Sequence, residues 1–114
     1  MISRAHRFHG YNSLRYVYRQ GRVARGANFA VKAADNPRRK AYRVAVVVSR
    51  KVNKSAVARN RIRRRLYEIS RQLGQDITRP YDIVITVFHD TVLETPHKEL
   101  AAQLERQFKE LKII

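Results

Sequence analysis

Hydrophobic residues recur along this chain with two different periods. In three segments they return every three or four positions, which is the spacing of a helix with one buried side. In other segments β-branched residues follow one another or alternate over a few positions, which is typical of strands. The pattern predicts a mixed α+β domain, with helices over 12–20 and 55–73 and from 95 onward, and with strands over 28–34, 42–49 and 81–88.

The residues at the helix ends agree with these assignments. Asn12 or Ser13 can cap the first helix, and Gly21 is suited to stop it after Gln20. Thr95-Pro96 is a typical start for the last helix, because proline fits the first helical turn. This helix is expected to face the core through residues at helical spacing, namely Leu100, Leu104, Phe108 and Leu111.

The first two strands are separated by a polar segment, 35–40, that contains three basic residues. Strands joined by a short loop commonly pair with each other, so we expect a β-hairpin with a basic tip. The run 44–48 is apolar on both faces of its strand. We therefore expect this strand at the centre of the sheet, with a layer covering each side.

The composition bounds the size and class of the protein. With 114 residues, of which 44% are hydrophobic, the chain is expected to form one compact domain over 1–114. The absence of cysteine excludes disulfides, thiolate zinc sites and cysteine nucleophiles. No apolar run approaches the roughly 18 residues of a membrane span, and the N-terminal segment lacks the apolar stretch of a signal peptide. We therefore expect a cytoplasmic protein that does not enter the membrane.

Charge changes this picture, because the formal net charge at pH 7 is +16. Residues 1–73 hold 20 Lys and Arg against 2 acidic residues, whereas residues 74–114 hold 5 against 7. Such an excess of positive charge is expected to attract a polyanion such as nucleic acid, at a site in the first two-thirds of the chain. A membrane surface would require a basic helix with exposed bulky apolar residues, and here those residues are needed for the core.

The segment 50–65 concentrates this charge, with eight basic residues and no acidic one. On a helical wheel, Arg64 and Arg71 point away from the apolar side, whereas Arg59 and Arg65 border it and can extend their stems across it. Arginine suits phosphate, because its planar guanidinium donates two hydrogen bonds to one phosphate group. The predicted core side of this helix is made of Ile62, Leu66, Ile69 and Leu73, and the opposite side also holds Asn60 and Tyr67.

Two stretches of this region carry a resemblance to a known family. They are the segment from Val48 to Val52 and the segment from Ala58 to Leu66, which contains Arg-Asn-Arg. With them the chain resembles the protein component of bacterial ribonuclease P, and the similarity extends to 14–21, to the pattern of 42–48 and to 81–85. The chain departs from the family pattern at Leu14 and Lys32, where aromatic residues are frequent, at Ala45, where glycine is frequent, and at Phe88, where a basic residue is usual.

The resemblance implies a separate role for each of two surfaces. In this family the arginine-rich helix binds a catalytic RNA, and a cleft between the first helix and the sheet receives the single-stranded 5′ leader of precursor tRNA. Single strands are generally bound by aromatic stacking platforms in a cationic groove, which agrees with this division. The implied contacts to the catalytic RNA are Arg50, Lys51, Lys54, Arg59, Asn60, Arg61, Arg63 and Arg64. The implied leader cleft consists of Leu14, Arg15, Tyr18, Arg19, Phe29 and Lys32, with Tyr16 beside it.

The resemblance also implies a fold and the origin of the catalysis. The fold is an α+β domain with a mixed sheet of about four strands, three helices and a left-handed β-α-β crossover, as in one domain of a small-subunit ribosomal protein. The general rule for such crossovers would give a right-handed one. The catalytic centre is expected to use Mg²⁺ held mainly by the RNA, with no catalytic or metal-binding side chain in the protein and no small-molecule substrate. Two-metal hydrolysis needs convergent carboxylates, whereas the basic region carries only Asp35 and Glu68.

Two other classes of nucleic-acid-binding protein stay open at this point. A ribosomal or other structural RNA-binding protein would have the same charge and a similar α+β layout, but it would not support cleavage of precursor tRNA. A duplex-DNA-binding module is less favoured. The basic helix has neither a preceding helix at helix-turn-helix spacing nor a following heptad zipper.

Overall fold

A computed structural model of the chain describes residues 4–8 and 11–114. That part of the chain contains three α-helices and four β-strands. None of the helices within these ranges is long and apolar enough to cross a membrane. In chain order the elements are α1 (Tyr11–Gln20), β1 (Arg22–Arg25), β2 (Phe29–Asp35), β3 (Arg43–Val47), α2 (Ala56–Leu73), β4 (Tyr81–Val87) and α3 (His97–Glu110).

The strands form one mixed sheet in the order β1-β2-β4-β3. β3 and β4 are parallel neighbours joined by α2, which confirms the predicted β-α-β unit. The other two pairs, β1 with β2 and β2 with β4, are antiparallel. The left-handed sense of the crossover stays a prediction from the resemblance.

The predicted hairpin between the strands 28–34 and 42–49 is wrong, because β4 lies between β2 and β3. β2 pairs with β4 along its whole length, from Phe29 opposite Val87 to Asp35 opposite Tyr81. β4 is buried at all but one of its seven residues, so it needs a neighbour on each edge and a layer on each face. The connection between β2 and β3 therefore crosses the end of β4, and its basic residues are exposed.

The predicted central position of the strand 42–49 is also wrong, because β3 is an edge strand. Its outer edge is covered by other parts of the chain. The Phe8 N–H donates to the Val44 carbonyl at 3.2 Å. The Val46 N–H donates to the Tyr67 hydroxyl at 3.1 Å. A continuous apolar run thus indicates that both faces of a strand are covered, and it does not distinguish an edge strand from a central one.

Two apolar clusters hold the layers together. The larger one fills the space between one face of the sheet and the helices α2 and α3, and it includes Phe29, Ile62, Ile83, Leu104 and Phe108. The smaller one lies under α1 on the opposite face and consists of Phe8, Val17, Ala45 and Val84, with Leu14 and Val47 at its margin. The sheet is therefore enclosed by α1 on one side and by α2 with α3 on the other.

The ends of α1 confirm one local prediction and correct another. The helix stops directly before Gly21, where a Cβ atom would lie 2.4 Å from the Val17 carbonyl oxygen, so glycine is required for this close approach. The helix begins at Tyr11, so neither Asn12 nor Ser13 is its N-cap. Cap preference is a local signal, and by itself it did not locate the start of this helix.

Candidate nucleic-acid interface

The N-terminus of α2 is tied to the preceding loop by hydrogen bonds. Ser55 caps the helix by accepting from the Ala58 N–H at 3.2 Å, and Asn53 Oδ1 accepts from the Ser55 N–H at 2.9 Å. Arg59 Nη1 donates to the carbonyls of Asn53 and Lys54, each at 3.0 Å. Arg59, an expected RNA contact, thus uses part of its guanidinium to fix the loop against the helix. The basic residues of loop and helix consequently form one continuous surface.

The outer side of this region carries several cations with no partner among the described residues. Arg61 and Arg64 are exposed on α2 and lie three residues apart, so they are neighbours on the helix surface. Arg63 Nη2 donates to Asn60 Oδ1, which joins these two side chains to the same surface. We call this set the arginine surface, and it consists of Arg50, Lys51, Lys54, Asn60, Arg61, Arg63 and Arg64.

Arg65 lies on another flank of α2 and serves the fold. Its guanidinium donates to three backbone carbonyls of the segment that follows β4. The acceptors are the carbonyls of Val92, of Leu93 at 3.1 Å and of Thr95 at 2.6 Å. The predicted place of Arg65 beside the apolar side is confirmed, and its guanidinium is committed to the protein.

Two residues predicted on the outer side of α2 are also engaged within the protein. Tyr67 is half-buried, and its hydroxyl accepts from the edge of β3. Arg71 donates to Glu68 Oε1 through Nε at 3.0 Å and through Nη2. The hydrogen bond from Arg71 is the largest of the causes that lower the pKa of the Glu68 carboxyl from 4.5 to about 2, and the same bond raises the pKa of Arg71. The arginine surface therefore does not extend to Arg71.

Tyr18 and Lys32 come together at the C-terminal end of α1. The Tyr18 side chain is 43% exposed. Lys32 Nζ donates to the Tyr18 carbonyl at 2.6 Å and lies 5.8 Å from the centre of the Tyr18 ring, within cation–π range. Arg15 and Arg19 are exposed on the same helix. We call these four residues the α1 groove; it offers an accessible ring with cations around it, as single-stranded nucleic acids require.

The assignment of Phe29 to this cleft is wrong. Phe29 is 1% exposed and packs in the larger cluster, on the face of the sheet opposite α1. Residues three apart in a strand point to opposite faces, so Phe29 and Lys32 do not line one groove. Leu14 is half-buried against the smaller cluster, where it supports α1 from below.

A basic hollow beside α1 was not predicted. It has a volume of about 570 Å³ and lies between Tyr16 and the β2–β3 connection. In its wall the buried Asp82 accepts from Arg43 at 2.9 and 2.8 Å and from Asn36 at 2.7 Å. An acidic residue inside an otherwise apolar strand was the sequence signal for this buried pair. The hollow is also lined by Ser13, Pro37, Arg38 and Arg39.

The described residues contain no cluster of three or more His, Asp or Glu side chains that could hold a metal ion. The buried Asp82 carboxylate is taken up by Arg43 and Asn36. Asp90 Oδ2 accepts from Asn53 Nδ2 at 3.1 Å. The carboxylates of Asp82 and Asp90 are therefore hydrogen-bonded to cationic or amide donors. They do not converge as the ligands of a catalytic metal pair would.

Comparison with protein families gives one match over nearly the whole chain. The family model described as Ribonuclease P matches residues 2–112. The ribonuclease P protein component of Pseudanabaena sp. is 35% identical over 99 residues, which cover 86% of this chain and 84% of that protein. The corresponding protein of Brucella suis is 42% identical over 79 residues, covering 68% of this chain and 51% of its own length.

Solved structures with the same fold are those of proteins described as RNase P proteins. The RNase P protein from Staphylococcus aureus superposes with a TM-score of 0.82 at 22% identity, covering 95% of this chain and 96% of its own. The RNase P protein from Thermotoga maritima superposes with a TM-score of 0.72 at 24% identity, covering 89% of this chain and 90% of its own. These similarities confirm the predicted α+β fold, with three helices and a four-stranded mixed sheet.

Proposed function

Because this chain belongs to the family of bacterial ribonuclease P protein components, we propose that its two basic surfaces bind two different RNAs. The protein is a subunit of ribonuclease P, the endoribonuclease that removes the 5′ leader from precursor tRNA. The arginine surface binds the catalytic RNA, and the α1 groove binds the leader. The observation that carries this proposal is the separation of unpartnered cations on α2 from an exposed ring with its own cation at the end of α1.

The arginine surface suits the backbone of a folded RNA. Arg61 and Arg64 are exposed, and α2 holds them at a fixed spacing. The loop before α2 adds three more exposed cations, namely Arg50, Lys51 and Lys54. Each guanidinium can neutralise a phosphate and release its counterions, which makes binding depend on salt concentration. A ribosomal-type structural protein would use the same physics, but the family match over residues 2–112 does not favour that alternative.

Substitution of the outer arginines tests the first surface. Arg61→Ala and Arg64→Ala should each weaken binding of the catalytic RNA and reduce the slope of log affinity against log salt by roughly one unit. The matched control is Arg106→Ala on α3, where the guanidinium lies 3.7 Å from Glu110 and outside the arginine surface. The control should leave the slope unchanged. Wild-type affinity and salt dependence in both α2 variants would contradict the proposal.

The α1 groove suits a flexible single strand. The Tyr18 ring offers a face to one base, and Lys32 lies beside it to attract the phosphates. Mature tRNA has no leader, so contacts in this groove are expected to favour the precursor over the product.

Truncation of Tyr18 tests the second surface in the reconstituted holoenzyme. Tyr18→Ala should weaken binding of precursor tRNA by up to about a hundredfold, since stacking contributes roughly 1–3 kcal/mol per base. Binding of mature tRNA should stay nearly unchanged. Tyr18→Phe keeps the ring and should retain most of the preference. Equal losses for precursor and mature tRNA, or a large fall in melting temperature without a selective loss, would count against the leader groove.

We propose that the Mg²⁺ needed for hydrolysis is held mainly by the RNA. The described protein side chains do not fit such an ion, and the protein contributes binding and orientation of the substrate. The proposed partners, a catalytic RNA and precursor tRNA, imply action in the cytoplasm.

A further inference from the structure

The face of the sheet beneath α1 extends beyond the helix. α1 covers this face at Ala45 and Val84. Further toward the C-terminal end of β4, the same face continues with Ala30 and Thr86, which are opposite each other in the β2–β4 pair. Ala30 is 7% exposed and Thr86 is half-buried, so this row of side chains becomes accessible only at Phe88. We call Ala30, Thr86 and Phe88 the distal strip.

Phe88 is the large side chain at the end of this strip. Its N–H donates to the Asn28 carbonyl at 2.8 Å, so the pairing with β2 continues one residue beyond β4. Val87 is 3% exposed and packs in the larger cluster, whereas Phe88 is 41% exposed. Successive residues of a strand point to opposite faces, which places the Phe88 side chain on the α1 side of the sheet.

The charges around the distal strip indicate the kind of molecule that binds at its exposed end. Lys32 lies two residues from Ala30 on the same face of β2, and Arg25 of β1 is the register partner of Ala30. Asp82 of β4 shares this face, but it is buried and bound to a guanidinium. An apolar protein partner would desolvate the cations without pairing them. A single-stranded nucleic acid offers bases to the ring and phosphates to the cations.

We propose that Phe88 is a second stacking platform for the single-stranded leader, in addition to Tyr18; this proposal rests on the leader-binding function of the α1 groove. Phe88 lies four residues along β4 from Val84, which is the register partner of Lys32. At the rise of a strand, Val84 and Phe88 are about 13 Å apart. Because Lys32 lies beside the Tyr18 ring, the Tyr18 and Phe88 platforms are also well separated. Stacked nucleotides rise about 3.4 Å each, so the two platforms hold different bases of the same strand.

The segment after Phe88 leads to the arginine surface. Asn53 Nδ2 donates to Asp90 Oδ2 at 3.1 Å, which ties this segment to the loop that carries Arg50, Lys51 and Lys54. A strand that passes Tyr18 and then Phe88 therefore arrives beside the arginine surface. Phe88 is a binding residue at the junction of the two RNA-binding surfaces.

The test uses the reconstituted holoenzyme with precursor tRNAs that carry 2-aminopurine at one leader position at a time, because stacking on an aromatic ring quenches this base. Two separate leader positions should be quenched in the wild type. Phe88→Ala should restore fluorescence at one of them and weaken binding of precursor tRNA roughly five- to hundredfold, with no change for mature tRNA. Tyr18→Ala should restore fluorescence at the other position.

Two further variants separate stacking from apolar contact. Phe88→Tyr keeps an aromatic ring and should retain quenching and affinity, whereas Phe88→Leu is apolar without a ring and should behave like Phe88→Ala. Wild-type behaviour of Phe88→Leu would overturn the proposal. A selective loss in Tyr18→Ala but not in Phe88→Ala would also overturn it and leave the leader groove intact. If neither variant is selective, the proposed function of the groove itself fails.

Two measurements on the free protein complete the test. The melting temperature of Phe88→Ala should stay near that of the wild type, because Phe88 is 41% exposed and belongs to neither apolar cluster. Sedimentation should give the same mass for both proteins. A self-association that disappears in Phe88→Ala would identify a contact between copies of the chain, and it would overturn the proposal.

Discussion

Arg64 and Arg65 are adjacent in the sequence, yet α2 places them in opposite surroundings. The Arg64 guanidinium is exposed and has no partner in the described part of the chain, whereas Arg65 donates to the carbonyls of three residues after β4. One step along a helix turns the side chain by about 100°, and this rotation separates an exposed flank from a flank that stabilises the fold. The charge count of such a helix therefore overestimates the number of cations available to RNA.

Cations that serve the fold are also found outside α2, and the largest loss of stability is expected at the buried ion pair between Arg43 and Asp82. Asp82→Ala should lower the free energy of unfolding by about 3–5 kcal/mol, because it leaves the Arg43 guanidinium largely buried without its carboxylate. Denaturant titration measures this loss. The salt slope of RNA binding by the folded variant should match the wild type, since Arg43 lies outside the arginine surface. If Asp82→Ala were as stable as the wild type, the ion pair between Arg43 and Asp82 would not stabilise the fold, which would contradict the prediction.

A smaller effect is expected when the two adjacent arginines are compared directly. Arg65→Ala should lower the free energy of unfolding by about 1.5–3 kcal/mol, the usual contribution of hydrogen bonds from a charged donor, with little change in salt slope. Arg64→Ala should leave unfolding unchanged and reduce the salt slope. The comparison breaks down if both variants lose stability alike or if both change the salt dependence alike.

The sequence predicted those parts of the fold in which the signal is local. The helical period over 55–73 and the strands at 42–49 and 81–88 depend on residues close to one another, and α2, β3 and β4 are found there. Strand order is not local, so the hairpin between β2 and β3 was a wrong inference from a short connection. β1 was not predicted. Ala24 is its one buried residue, so the strand shows no hydrophobic alternation.

The candidate site was predictable to a similar extent. The exposed side of α2 at Asn60, Arg61 and Arg64 was predictable because these residues share one helix, whereas the carbonyl partners of Arg65 come from a distant segment that no helical wheel includes. Strand parity could have removed Phe29 from the cleft, since its distance of three residues from Lys32 puts the two on opposite faces. The same parity assigns Phe88 to the α1 side, but only after the pairing of β2 with β4 is known.

The smallest predicted effect concerns Arg71, whose guanidinium is committed to Glu68 on the exposed surface of α2. The Glu68 pKa of about 2 lies below its ordinary value of 4.5, so any stabilisation from this pair is present above about pH 4.5 and is lost as the pH falls toward 2. Arg71→Gln removes the main cause of the shift and should raise the Glu68 pKa toward 4.5, which an NMR titration of the carboxyl group measures. The variant should bind the catalytic RNA with nearly wild-type affinity and salt slope, because Arg71 lies beyond the arginine surface. A loss as large as that of Arg64→Ala would extend the proposed RNA-binding surface by about two helical turns, to Arg71, and would contradict the assignment of Arg71 to the fold.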